Sequence, residues 1–165
     1  MKRFSARSLT EAAAVAALYA ALALLSSAFG LGFGAVQLRL SEALTLLPLL
    51  YPSSVWGLTV GCLLADLFSP FGLPDLIVGT AATLLAAALT AKCRRPLTAG
   101  LPPVALNALA VGAVLAWEES GFSAAALPLF LYHALTVAAG EALTVYALGV
   151  PLLRFLKKKK STGGF

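Results

Sequence analysis

Long apolar runs separated by short polar clusters set the layout of this chain. A membrane-spanning helix needs about 20 consecutive, mostly apolar residues. Leu9–Leu31, Leu73–Ala91 and Leu97–Trp117 each meet that length. Ala124–Phe155 is longer than one span. It predicts either one tilted helix or an interfacial piece followed by a span. Leu40–Phe68 admits one long helix or two short ones, with Pro48, Pro52, Ser53 and Ser54 at its middle. Proline removes a backbone donor and disfavours helical geometry at the residue before it.

Charge placement decides between those two. Lys2, Arg3 and Arg7 open the chain, Lys92, Arg94 and Arg95 form an internal cluster, and Arg154 with Lys157 to Lys160 closes it. Only Arg39 of the twelve basic residues lies elsewhere. Cytoplasmic flanks of membrane helices collect Lys and Arg. An even number of crossings must then separate each pair of clusters, which requires two helices within Leu40–Phe68. The reading is an all-α integral membrane protein of six helices, at about residues 9–31, 40–50, 54–69, 73–91, 97–117 and 124–155, in one domain over 1–165. Both termini are cytoplasmic, and a basic tail covers 157–165.

Composition agrees. The chain is 60% hydrophobic and 12% charged, against about 45–50% and about 25% in soluble domains, so the apolar excess has to face lipid. Basic patches in such a chain read as membrane flanks and not as a nucleic-acid surface. Cys62 lies in an apolar run and Cys93 in the basic cluster, which argues against a disulfide, and neither has metal-ligand spacing. No G-x-x-x-x-G-K-[ST], H-E-x-x-H or G-x-S-x-G sequence occurs. The chain therefore has no P-loop of its own, and nothing in it reads as an enzyme, a metal site or a cofactor site.

The remaining polar residues gather toward the outer side. Ionisable groups within spans are costly and by default mark a functional site with a partner. Arg39 and Glu42 are three apart and share a helix face, either as a structural ion pair or as part of a pocket. Glu141, between Gly140 and Ala142, needs an offset from a ligand, Arg39, His133 or water. His133 can equally be a packing histidine, Asn107 a bridge between helices, and Asp75 a helix cap. Asp66 is a further candidate, while Glu118 and Glu119 read as solvated. Gly30–Gly34 and Ser69–Pro74 are outer loops able to cover a pocket. Ala12, Ala16 and Ala20, with Ala13, Ala17 and Ala21 beside them, give the first helix small faces for close helix approach. Gly57 and Gly61 form a similar pair.

Val36-Gln-Leu-Arg-Leu-Ser-Glu-Ala-Leu-Thr-Leu-Leu-Pro-Leu-Leu-Tyr-Pro52 resembles the QueT family of queuosine-precursor transporters. So does Gly57-Leu-Thr-Val-Gly-Cys-Leu-Leu-Ala-Asp-Leu-Phe-Ser-Pro-Phe-Gly-Leu-Pro-Asp75, followed by Gly79-Thr-Ala-Ala-Thr83. The likeness runs from about residue 10 to about 155, and Gln37 to Thr83 is its specific part. It implies a six-helix substrate-capture (S) component of an energy-coupling factor transporter, taking a nutrient from outside and docking onto a transmembrane T component that carries two ATPases. The resemblance places partner docking on Ala12, Ala16 and Ala20 or on the parallel set one position on. A 7-deazaguanine such as queuine suits Gln37, Arg39, Glu42, Asp66, Asn107, His133 and Glu141 as binding residues, with Phe33, Trp56, Tyr132 or Trp117 to stack on the purine-like ring. An S component for another vitamin-like nutrient, an intramembrane enzyme and a ligand-free scaffold are the competing readings.

Overall fold

The computed structural model describes residues 5–33, 37–121 and 123–162. Lys2, Arg3, Gly34, Val36 and the last three residues of the tail lie outside them. The described residues form six helical rods. The first is α1 (Ala6–Ala28), followed by a 3-10 helix (Leu40–Leu49), α2 (Ser54–Asp66) and α3 (Gly72–Thr90). The fifth joins a short α4 (Pro96–Ala99) to α5 (Leu101–Ser120). The last runs from α6 (Ala126–Thr144) through a π-helical turn (Val145–Gly149) into α7 (Val150–Ser161). It is one rod and not an interfacial piece plus a span, and its lysines are helical.

Four rods are long and apolar enough to cross a membrane: Ala6–Ala28, Gly72–Thr90, Pro96–Ser120 and Ala126–Ser161. The other two are shorter. At about 2.0 Å per residue the 3-10 helix reaches ~20 Å, the length that α2 reaches at about 1.5 Å per residue. Both fall short of a ~30 Å hydrocarbon core.

The 3-10 helix is unusual for its length, since such helices seldom exceed a turn or so. Pro48 lies inside it and removes one donor, and the Thr45 hydroxyl donates to the Glu42 carbonyl at 2.6 Å. Every residue from Ser41 to Pro48 is buried. Irregular backbone at membrane depth is tolerated only where protein shields it from lipid, and α1, α2, α3 and the last rod all pack against this segment. Leu44 and Leu47 join Tyr19, Leu58 and Ala87 in one apolar cluster, while Leu46 joins Ala99, Val145 and Leu153 in another. The 3-10 helix is thus the core around which the other rods stand.

Outward, the rods present leucine. Ile77, Leu85, Leu109 and Leu135 are all exposed, a surface far more apolar than water allows at this extent. Inward, glycine sets the spacing. A Cβ at Gly57 would lie 2.5 Å from the Ala12 carbonyl oxygen, and one at Gly61 would lie 2.8 Å from that of Ala16. Ala12 and Ala16 are therefore buried under α2, and Ala20 is half-buried. In this arrangement Ala12 and Ala16 lie against α2. Ala13, Ala17 and Ala21 are the exposed set.

The two ends of the bundle differ in charge. Ser53 donates to Glu11 at 2.8 Å, and Lys160 donates to the Leu50 carbonyl at 3.3 Å. The start of α1, the Pro52 turn and the end of α7 therefore share one basic end. The opposite end holds Asp75 and Glu119.

Gly61→Ala should destabilise the protein by about 1–3 kcal/mol, the usual overpacking penalty. Ala17→Leu on the open face of α1 should stay within about 0.5 kcal/mol. Thermal denaturation of the two variants in the same detergent compares them directly, and equal effects would show that α2 does not rest on α1 through this glycine.

Candidate functional site

The extended residues before the 3-10 helix, its first turn, the end of α2, the middle of α5 and the middle of α6 converge on one buried polar network. Arg39 caps the start of the 3-10 helix with extended backbone. Side chains alternate along extended backbone, so Leu38 and Leu40 turn away from the side that Arg39 takes. Those two leucines line an apolar hollow of about 280 Å³ together with Phe29, Leu143 and Leu148. Arg39 itself donates from Nη2 to Asp66 Oδ1 at 2.9 Å, and its Nε lies 4.0 Å from Glu42 Oε1. Phe33 stacks below the guanidinium, 5.6 Å from Cζ to the ring centre.

Glu42 is held from three directions. The Tyr19 hydroxyl donates to Oε1, Arg39 approaches the same oxygen, and Asn107 Nδ2 reaches Oε2 at 3.5 Å. Asn107 also donates to Glu141 Oε1 at 2.8 Å, so one amide joins two carboxylates. Asp66 receives a second donor from the Cys62 thiol at 3.1 Å, which in turn accepts from Thr83 at 3.2 Å. Gly79 leaves room for this arrangement, since a Cβ there would stand 2.9 Å from Asp66 Oδ2. Gly140 does the same for α6, because a Cβ on it would collide with the Gln37 carbonyl. That contact lets α6 lie directly on the strand-like segment before Arg39 and brings Glu141 to the network.

Exposure is 6% for Arg39, 1% for Glu42 and Asp66, 5% for Asn107 and 4% for Glu141. Two carboxylates, Asp66 and Glu42, thus share one guanidinium away from solvent, and Asn107 links a third, Glu141, to Glu42. Glu141 Oε2 is buried and has no hydrogen-bond partner among the described residues, although buried polar atoms are nearly always paired. The network leaves one buried acceptor open among the described residues.

The chain matches the QueT transporter family over residues 9–158. It belongs to that family. Among curated proteins and solved structures, none matches it. The family makes this a membrane transporter and not an enzyme.

Within this QueT-family chain, five of the seven proposed binding residues meet in the network: Arg39, Glu42, Asp66, Asn107 and Glu141. Gln37 is buried beside it, with its backbone against Gly140. His133 is not brought in. Its Nε2 pairs with Glu119 Oε2 at 2.8 Å, about 12 Å along α6 from Glu141 at 1.5 Å per residue. Glu119 is accordingly a partner for a histidine and not merely solvated. Asp75 accepts from the Ser69 hydroxyl at 2.6 Å, tying down the turn before α3 instead of capping the helix itself. Trp56, Trp117 and Tyr132 are exposed and leave Phe33 as the aromatic ring beside the guanidinium. Tyr19, Cys62 and Thr83 are members of the network that sequence reasoning did not single out. A tyrosine in the middle of an apolar run was the available signal, because a buried phenol seeks an acceptor.

Arg39→Met removes the cation from Asp66 and Glu42 at once and should cost about 3–5 kcal/mol, as for other broken buried pairs. Arg39→Met with Asp66→Leu should recover part of that loss. Unfolding of the single and double variants in detergent forms a double-mutant cycle; strict additivity would mean that the two residues do not act together.

Proposed function

We propose that this chain is the substrate-capture component of an energy-coupling factor importer, and that it takes a queuosine precursor from outside the cell. The supporting observation is the unmatched acceptor capacity of the buried network, above all Glu141 Oε2. A 7-deazaguanine carries adjacent N–H donors at N1 and the 2-amino group, which a carboxylate accepts side by side. Base edges are read elsewhere by hydrogen bonds and stacking. Glu141 or Glu42 takes that edge, Arg39 or Asn107 donates to the ring carbonyl, and Phe33 supplies a face. An aminomethyl substituent brings a positive charge, and Asp66 is the carboxylate placed to meet it. Gln37 completes the wall behind Arg39. Because these groups now bond one another, the ligand exchanges contacts within the network for its own.

The basic end of the bundle faces the cytoplasm under the positive-inside rule, so the chain crosses six times, with the two short rods completing the count. The network then lies toward the outer half. The exposed stripe Ala13, Ala17 and Ala21 is the face of α1 open to close helix approach, and it serves the T component, whose two ATPases supply the energy. A ligand-free scaffold would have filled the space between α2, α5 and α6 with apolar side chains, and an acceptor-rich network disfavours it.

Queuine should bind the purified chain saturably and without ATP, raising the thermal midpoint as any ligand of the native state does. Glu141→Gln should weaken that binding by about 1.5–3 kcal/mol, the range for a hydrogen bond to a charged group. A panel of vitamins of similar size run in parallel should give no shift. Absence of saturable binding in folded protein, or unchanged affinity in both Glu42→Gln and Glu141→Gln, would remove the network from substrate capture.

A further inference from the structure

A second site lies at the basic end. Arg154 and Lys157 are three apart on α7 and so share a face, and Arg94 comes to them from the connection between α3 and α4. Together they rim a pocket of about 260 Å³ whose floor includes Leu49, Leu50 and Leu153. None of the three cations pairs with an acidic side chain among the described residues. The acid nearest this end is Glu11, and it is taken by Arg7 at 3.1 Å and Ser53 at 2.8 Å. Lys160, by contrast, is occupied by the Leu50 carbonyl and by the Tyr51 ring at 4.8 Å. Three like charges drawn around one hollow repel one another unless an anion sits among them.

The level of the pocket identifies the anion. The last rod has 36 residues, or ~54 Å at 1.5 Å per residue, against a hydrocarbon core of about 30 Å. A rod of that length overhangs the core, and with the basic end on the cytoplasmic side, as proposed above, its final turns stand among lipid headgroups. Basic pockets between helices on the cytoplasmic side suit anionic lipid headgroups, because the cytoplasmic leaflet is itself negatively charged. The apolar floor suits the glycerol and first methylenes below a phosphate. We infer that Arg94, Arg154 and Lys157 form a binding site for the headgroup phosphate of an anionic phospholipid of the inner leaflet. The site anchors the end of α7 against the 3-10 helix, independently of which substrate the outer network takes.

Native mass spectrometry of the delipidated full chain tests this with phosphatidylglycerol and phosphatidylcholine of identical acyl chains. Phosphatidylglycerol should be retained in preference. The double variant Arg154→Gln with Lys157→Gln should lose at least about tenfold in retention. A charge-matched double, Lys92→Gln with Lys158→Gln, should keep most of it. Equal retention of the two lipids by the unaltered chain overturns the proposal, as does an equal loss in both doubles, which would mark diffuse attraction. Competition by soluble glycerol phosphate at matched concentration would assign the pocket to a free phosphate instead of a lipid.

Discussion

One guanidinium, buried at the mouth of a 3-10 helix, holds the polar interior of this protein together. Arg39 meets Asp66 at 2.9 Å and stands 4.0 Å from Glu42. Each of these carboxylates would be costly alone inside a lipid-facing bundle, where a lone charge costs about 2.5–3.5 kcal/mol even on the most lenient scales. The cation makes their burial possible. Asp66 ends α2 and Glu42 opens the 3-10 helix, so the pairing also fixes these two rods against each other. Through Asn107 the same network reaches α5 and α6. Every rod that carries a member is held in part by its hydrogen bonds or ion pairs within the network.

Such a network requires close helices, and small residues provide the approach. Gly57 and Gly61 bring α2 onto α1, Gly79 clears space over Asp66, and Gly140 and Gly149 lay the last rod on the backbone of Gln37 and Ala43. Lipid tails are as apolar as leucine, so helices in a membrane gain little from hiding leucine from one another. Packing at small residues and polar contacts supply the attraction instead. The two mechanisms are used together here, because the glycine contacts flank the network on three rods. The apolar side chains that a soluble protein would bury are left to face outward.

The four long rods were legible because a span has a minimum length and a hydropathy to match. The division of Leu40–Phe68 was legible only from the parity of the basic clusters. Its 3-10 geometry was not, since the same apolar run fits either helix type and the choice follows from Pro48 and from burial on all sides. Arg39 and Glu42 stood out as charges in an apolar chain, but Asp66 is 27 residues from Arg39, and no local pattern joins them. The alanine registers could not be separated while both faces of α1 read alike; Gly57 and Gly61 on another helix make the distinction. Trp56, Trp117 and Tyr132 lie exposed and away from the network for a physical reason. Aromatic rings with a polar edge favour the membrane interface, where they lie near rod ends and point outward.

The imbalance of the network separates function from architecture. A buried ion pair is weak support for stability, and well-packed apolar residues commonly do as well or better. Arg39 meets two carboxylates here, and Glu141 Oε2 has no partner among the described residues. Glu141 ties α6 to Asn107 of α5 through Oε1, while its Oε2 serves no contact among the described residues. The unpaired Glu141 Oε2 is the feature of the network that packing leaves unexplained among the described residues, and the proposed substrate-capture role rests on it. The rest of the network closes on itself through Arg39, Tyr19 and Asn107, which makes the single open oxygen of Glu141 stand out against it.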